Sequence, residues 1–192
     1  LEHTMLYESD AIVAMANGSI THFGPADRIA PLLPAGTKVK NYGKDALISA
    51  GFIDSHVHFP QVPMIAAYGD QLLDWLNTYT YPTEMKYTDK EFAREVAKVF
   101  LQQNLRNGIT TACVYCTVYP QSVDALFAEA QARNMRVIAG KVLMDRNAPE
   151  ALRDTAQSGY DQSKALIARW HKSGRSLYAI TPRFAATSTP EQ

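Results

Sequence analysis

The chain has 192 residues with 19 basic and 19 acidic side chains, so its formal net charge is zero, and 46% of its residues are hydrophobic and 20% charged. That is the profile of an ordinary soluble globular protein; it excludes a disordered chain and gives no electrostatic footing for a nucleic-acid or membrane-surface partner. No apolar run approaches the roughly 20 residues needed to cross a bilayer, and the first residues lack the order of a signal peptide, so a small-molecule partner and a cytoplasmic location are expected.

The first fifty residues read as short strands broken by turns: Ala11 to Ala16, a turn at Asn17-Gly18, Ser19 to Phe23, then Gly24-Pro25 and a polar connection. Near Asp45 the pattern changes to alternating strands and helices, which sets an expected boundary between a small β domain (1–45) and a second domain (46–192). Ala46 to His58 is expected to be the first buried strand of that second domain. It carries the run Gly51-Phe52-Ile53-Asp54-Ser55-His56-Val57-His58-Phe59-Pro60-Gln61. Strand side chains alternate faces at about 3.3 Å per residue, so His56 and His58 share a face with Asp54 and Phe52, and their Cα atoms lie roughly 6.6 Å apart. Two Zn–N bonds of about 2.1 Å can close that gap. An H-x-H pair without context is nevertheless a weak signal of metal binding.

Gln61 to Met85 breaks the rhythm, being long and rich in Tyr68, Trp75, Tyr79 and Tyr81. It reads either as a cover over a site or as a short extra helix in which Leu72, Leu73, Trp75 and Leu76 pack on the core. A helix follows, with Thr88 and Glu91 as a capping pair, a stripe of Phe92, Val96, Val99 and Phe100, and a stop at Asn107-Gly108. Ile109 to Tyr119 is β-branched and aromatic, hence a strand. Its Cys113 and Cys116 have C-x-x-C spacing, but residues three apart on a strand face opposite ways, so both are expected to pack and not to share a metal or a disulfide. Val123, Leu126, Phe127 and Ala130 mark the next helix, and Met135 to Met144 the next strand. Lys141, inside that strand, is expected to be ion-paired or snorkelling. A helix with Leu166, Ile167 and Trp170 stops at Ser173-Gly174, and Leu177 to Phe184 forms the fourth strand.

Nearly continuous apolar strands alternating with amphipathic helices imply a parallel sheet covered by helices, of which four β/α units are visible. Thr189 and Pro190 look like the first residues of a helix left uncompleted, and the chain opens at Leu1, so it is expected to be part of a longer product. Four strands of an open parallel sheet would leave an unpaired strand at each edge, and the chain is not expected to fold stably by itself.

Two histidines at the C-terminal end of a first strand, preceded by Gly51-Phe52-Ile53-Asp54 and by a small β segment, resemble the amidohydrolase superfamily of metal-dependent barrel hydrolases. More narrowly, Phe59-Pro60-Gln61, the stretch from Tyr68 to Asn77, the stretch from Gly140 to Asn147 and Thr181-Pro182-Arg183-Phe184 are similar to the guanine deaminases. The resemblance implies the first half of a TIM-like (β/α)8 barrel, one zinc held in part by His56 and His58, and purine contacts from Gln61, Arg183 and Phe184. It also implies hydrolytic conversion of guanine to xanthine and ammonia, in purine breakdown or salvage. Gln61 offers an amide that donates and accepts, Arg183 a fork of donors, and Phe184 a face for a flat base. A surface salt bridge is the plain alternative for Arg183, and core packing the alternative for Phe184.

In that family the remaining metal ligands and a proton-shuttling glutamate come from later strands, which these residues do not include. No catalytic acid or base is therefore assigned, although Asp54, Asp70 and Asp74 lie close in sequence. His3, His22 and His171 are not expected to bind metal. Ala50 and Ala186 stand where the family commonly has proline, which affects turn stiffness more than chemistry. Two other functions stay open: a related hydrolase acting on another aminated purine, pterin or triazine ring, and a barrel scaffold without catalysis. A homodimer is the assembly left open.

Overall fold

The computed structural model describes residues 6–69 and 71–192; His3 and Asp70 lie outside them. The chain divides into two compact units, Leu1–Ile48 and Ser49–Gln192.

In the first unit, β1 (Ala11–Ala16) pairs antiparallel with β2 (Ser19–Pro25). Asn17 and Gly18 both have positive φ, 52° and 77°, the conformation a two-residue hairpin turn demands if its twist is to match the strands. A short helix, α1 (Ala26–Ile29), follows directly.

The second unit is built on a parallel sheet of β3 (Phe52–His58), β4 (Ile109–Tyr115), β5 (Arg136–Gly140) and β7 (Ser176–Tyr178), in that spatial order. Chain order equals spatial order because each crossover carries a helix back along the same side: α4 (Lys90–Arg106), α5 (Pro120–Ala132) and α6 (Ala156–Trp170). This is the helix-covered parallel sheet that the sequence pattern implied, arranged as the resemblance implied for the first part of a β/α barrel. The core lies between sheet and helices, where Ala112, Val114, Val137 and Ala139 of the strands meet Phe100, Leu101, Leu126 and Phe127 of the helices.

Several elements differ from the sequence expectation. The first strand begins at Phe52, not Ala46, and is not buried: Phe52 and Ile53 are 62% and 69% exposed, because β3 is an edge that pairs only with β4 among the described residues. Helix α4 is capped by Asp89, whose carboxylate accepts from the backbone N–H groups of Glu91 and Phe92, while the Thr88 hydroxyl donates backwards to the Met85 carbonyl. Val99 of the expected stripe faces solvent, and Ala93, Ala97 and Leu101 complete the buried face instead. Helix α6 starts with a Thr155–Ser158 capping box, a pair in which serine replaces the usual glutamate.

The expected strand from Met135 to Met144 is interrupted at Lys141. Gly140 sits against the Ala179 carbonyl, too close for any Cβ, and the chain then moves from β5 into β6 (Val142–Leu143). The fourth strand breaks in the same place, into β7 and β8 (Thr181–Pro182), and β6 and β8 form their own parallel pair. The Thr181 hydroxyl donates to the Lys141 carbonyl at 2.5 Å and locks the step. Thr189 does not open a helix; its N–H and hydroxyl both donate to Asp145, at 2.8 and 2.5 Å.

Residues 59–88, between β3 and α4, fold as a chain of short helical turns: a 3-10 stretch Phe59–Met64, α2 (Leu72–Trp75), a π-helical turn Leu76–Thr80, α3 (Tyr81–Met85) and a 3-10 turn Lys86–Thr88. Leu76 and Tyr81 are buried with Val118, Val142, Met144 and Leu152 in a second, smaller core. Leu72 and Leu73, which the extra-helix reading packed inward, face solvent, so the segment is anchored on either side of them, by Phe59 and Met64 and from Leu76 onwards.

Candidate functional site

The C-terminal end of β3 is held from below. Phe59 is fully buried with its ring edge-on to Tyr87, centroids 5.4 Å apart, and the Tyr87 hydroxyl donates to the Pro60 carbonyl at 3.1 Å. His56 and His58 stand side by side with ring centroids 5.3 Å apart and planes inclined by 65°. The Asp54 carboxylate is engaged locally, accepting from the His56 backbone N–H at 3.1 Å.

Tyr115, the last residue of β4, is the register partner of His58. Its ring stacks on His58 at 4.8 Å and 19°, and lies 5.2 Å from His56. Sequence reading passed over Tyr115. The expected strand ran on to Tyr119, whereas β4 ends at Tyr115, and pairing Tyr115 with His58 requires the inter-strand register, which local patterns do not carry.

Burial, then the positive charge of Arg183, then His56 push the His58 pKa down to about 4. His58 is therefore a neutral imidazole at neutral pH, the form that ligates a metal ion. Its Nδ1 is buried and has no hydrogen-bond partner among the described residues. Two adjacent imidazoles suit zinc, whose usual ligands are nitrogen and sulfur in a tetrahedron. They fill two positions only: no group of three or more histidine, cysteine, aspartate or glutamate side chains able to hold a metal occurs among the described residues.

Arg183 follows β8 directly, its backbone N–H donating to the Leu143 carbonyl at 3.1 Å. Its guanidinium Nη1 donates to Glu84 Oε2 at 2.7 Å, and the two side chains are 6% and 1% exposed. The surface salt bridge weighed from sequence is thus a buried ion pair, close enough to His58 to act on its charge. The Tyr81 ring lies under the guanidinium, 5.8 Å away. Glu84 was not singled out from sequence, and Tyr81 was marked only as an aromatic of its segment, since no short-range signal connects α3 to a residue about a hundred positions later. Phe184 is next to Arg183 and 48% exposed, not core. Gln61 is half-buried in the 3-10 turn three residues beyond His58, and its side chain makes no hydrogen bond among the described residues.

The other candidates fall away from this cluster. Lys141 is fully buried and ion-paired with Asp154, so it does not snorkel. Cys113 and Cys116 are free thiols, the latter in the core. His171, just past α6, accepts the Tyr178 backbone N–H on Nδ1 at 3.2 Å. Among the described residues no helix is long and apolar enough to cross a membrane.

Comparison with known proteins adds the following. Residues 47–192 match the amidohydrolase family, whose members are metal-dependent. The chain is 56% identical over 183 residues to a guanine deaminase of Escherichia coli K12, covering 95% of this chain and 42% of that protein. A solved guanine deaminase from Bradyrhizobium japonicum is 47% identical with a TM-score of 0.89, over 93% of this chain and 38% of that one. A guanine deaminase from C. acetobutylicum, solved with guanine bound in its active site, is 25% identical with a TM-score of 0.84, over 94% of this chain and 43% of that one. The chain spans about two fifths of the length of curated relatives that it matches.

Proposed function

The chain belongs to the amidohydrolase family, and on that premise we propose that the natural protein carrying it is a zinc-dependent guanine deaminase. The reaction is hydrolysis of guanine to xanthine and ammonia. The observation that carries this reading is the meeting of His56, His58 and Tyr115 at one strand end with the charge of Arg183 beside them. Its agreement with relatives named guanine deaminases supports the choice of substrate.

His56 and His58 would supply two nitrogens to the zinc, which when bound activates water for attack on the carbon bearing the amino group. The rest of the work proposed for this chain is recognition. Arg183, with one nitrogen held by Glu84, keeps further N–H donors for a purine carbonyl and ring nitrogen. Gln61 can donate and accept with one amide, and the half-exposed ring of Phe184 offers a face to the base. No residue among those described is proposed as the acid or base. A cytoplasmic location is consistent with Cys113 and Cys116 both being unpaired thiols.

The test is a panel of aminated rings assayed with the natural full-length protein and its Arg183→Ala variant. Guanine should be preferred, and the variant should lose about tenfold or more of kcat/KM for guanine, the worth of a charged hydrogen bond, while losing less for rings without a carbonyl. Equal losses across the panel would remove Arg183 from substrate reading.

A further inference from the structure

We propose that Glu84 is the positioning residue for Arg183: a buried carboxylate on α3 that fixes where the guanidinium points its remaining donors. The inference rests on the reading of Arg183 as a purine-contacting side chain.

Three observations carry it. First, the carboxylate is almost completely buried yet only partly satisfied: Oε2 accepts from Arg183 Nη1 at 2.7 Å, and Oε1 has no hydrogen-bond partner among the described residues. Desolvating two charges for one hydrogen bond is a poor way to gain stability, so the pair is better explained by what it orients. Second, the guanidinium is held from two directions by one helix. Glu84 takes Nη1 while Tyr81, one turn earlier, lies under the group at 5.8 Å. A guanidinium is planar and rigid, so fixing one nitrogen and limiting its plane sets the directions of the other N–H groups. No other hydrogen bond engages the guanidinium among the described residues, and those N–H groups remain for a ligand. Third, both ends of the pair are anchored. Tyr81 of α3 is buried in the same small core as Val142 and Met144, and the Arg183 backbone is tied to the Leu143 carbonyl of β6.

This gives the segment between β3 and α4 a defined task. Through Glu84 it sets the geometry of a substrate-reading arginine that enters from the other end of the sheet. A hydrophobic or amide side chain at position 84 would leave the guanidinium free to take other rotamers, and binding would pay in affinity before turnover.

The experiment is a double-mutant cycle in the natural full-length, zinc-loaded protein, with Glu84→Gln, Glu84→Asp, Arg183→Ala and the Glu84→Gln/Arg183→Ala pair. Kinetics with guanine, bound zinc and thermal unfolding are measured for each. Glu84→Gln should raise KM by about tenfold, more than it lowers kcat, with zinc retained, and Glu84→Asp should recover part of that loss. The double variant should be no worse than Arg183→Ala alone, because the two residues act as one unit. A wild-type KM in Glu84→Gln, or losses that multiply in the double variant, would overturn the proposal. If Glu84→Gln fails to fold, the KM of Glu84→Asp decides: wild-type overturns it, raised supports it. An unchanged kcat/KM in Arg183→Ala is a different failure, since it removes the reading of Arg183 itself and this inference with it.

Discussion

Burial pushes the Lys141 ammonium pKa down and the Asp154 carboxyl pKa up, in each case against the attraction of the partner. Desolvation therefore outweighs the ion pair, and what the pair secures is the step from β5 to β6, where the Lys141 ammonium also donates to the Val142 carbonyl at 3.3 Å. Lys141→Ala should cost about 3–5 kcal/mol because it strands a buried carboxylate, whereas Lys141→Met combined with Asp154→Leu should recover most of that loss. Chemical denaturation of the natural full-length protein and these two variants measures it; equal losses in the single and double variants would show that the charges themselves stabilise the fold. The same scale explains which parts of the site could be read in advance. Parity along one strand placed His56 and His58 together, because that rule is local. Tyr115 and Glu84 needed the β3–β4 register and a contact spanning from α3 to β8, neither of which leaves a mark in neighbouring residues. Lys141 was expected to be ion-paired or snorkelling; it is ion-paired and does not snorkel, and its complete burial depends on Asp154 in a loop thirteen residues on.

Helices α4 and α5 are joined by Glu129, which accepts from Arg94 at 3.0 Å and Arg133 at 2.6 Å. Burial works to raise the Glu129 pKa, but the hydrogen bonds from Arg133 and then Arg94 outweigh it, and the carboxyl ends below its ordinary value of 4.5. A carboxylate depressed on folding contributes stability that is present above 4.5 and lost as pH falls through the folded value. In the natural full-length protein, unfolding midpoints followed below pH 4.5 should thus drop less steeply with Glu129→Gln than without it; parallel curves would contradict this. At this scale the sequence was most legible. Apolar periodicity located α4, α5 and α6, and Asn107-Gly108 marked the end of α4, where Gly108 has φ +78°. Element ends were less so, as the shift of the cap from Thr88 to Asp89 shows, since adjacent Thr and Asp are equally good cap residues until backbone geometry chooses. The splitting of two long strands into β5/β6 and β7/β8 had no local signal, because it arises where the Ala179 carbonyl meets Gly140 across the sheet.

For the molecule as a whole, alternation of strands and helices was enough to imply the parallel β/α wall, while the exposure of its first strand was not anticipated. With β3 unpaired on one side among the described residues and Phe52 and Ile53 uncovered, the 192-residue chain alone presents an apolar strand edge of the kind that pairs with other copies. It should unfold without a sharp transition and associate with rising concentration; a cooperative thermal transition with monomeric sedimentation at micromolar concentration would contradict that. The central claim concerns the two histidines at the other end of that strand. Ammonia release from guanine by the natural full-length protein, measured alongside bound zinc, tests it most directly. The zinc-loaded protein should convert guanine to xanthine and ammonia, and His56→Ala and His58→Ala should each lose zinc and ammonia release together. A zinc-loaded protein that releases no ammonia from guanine, or histidine variants that retain both zinc and activity, would contradict it.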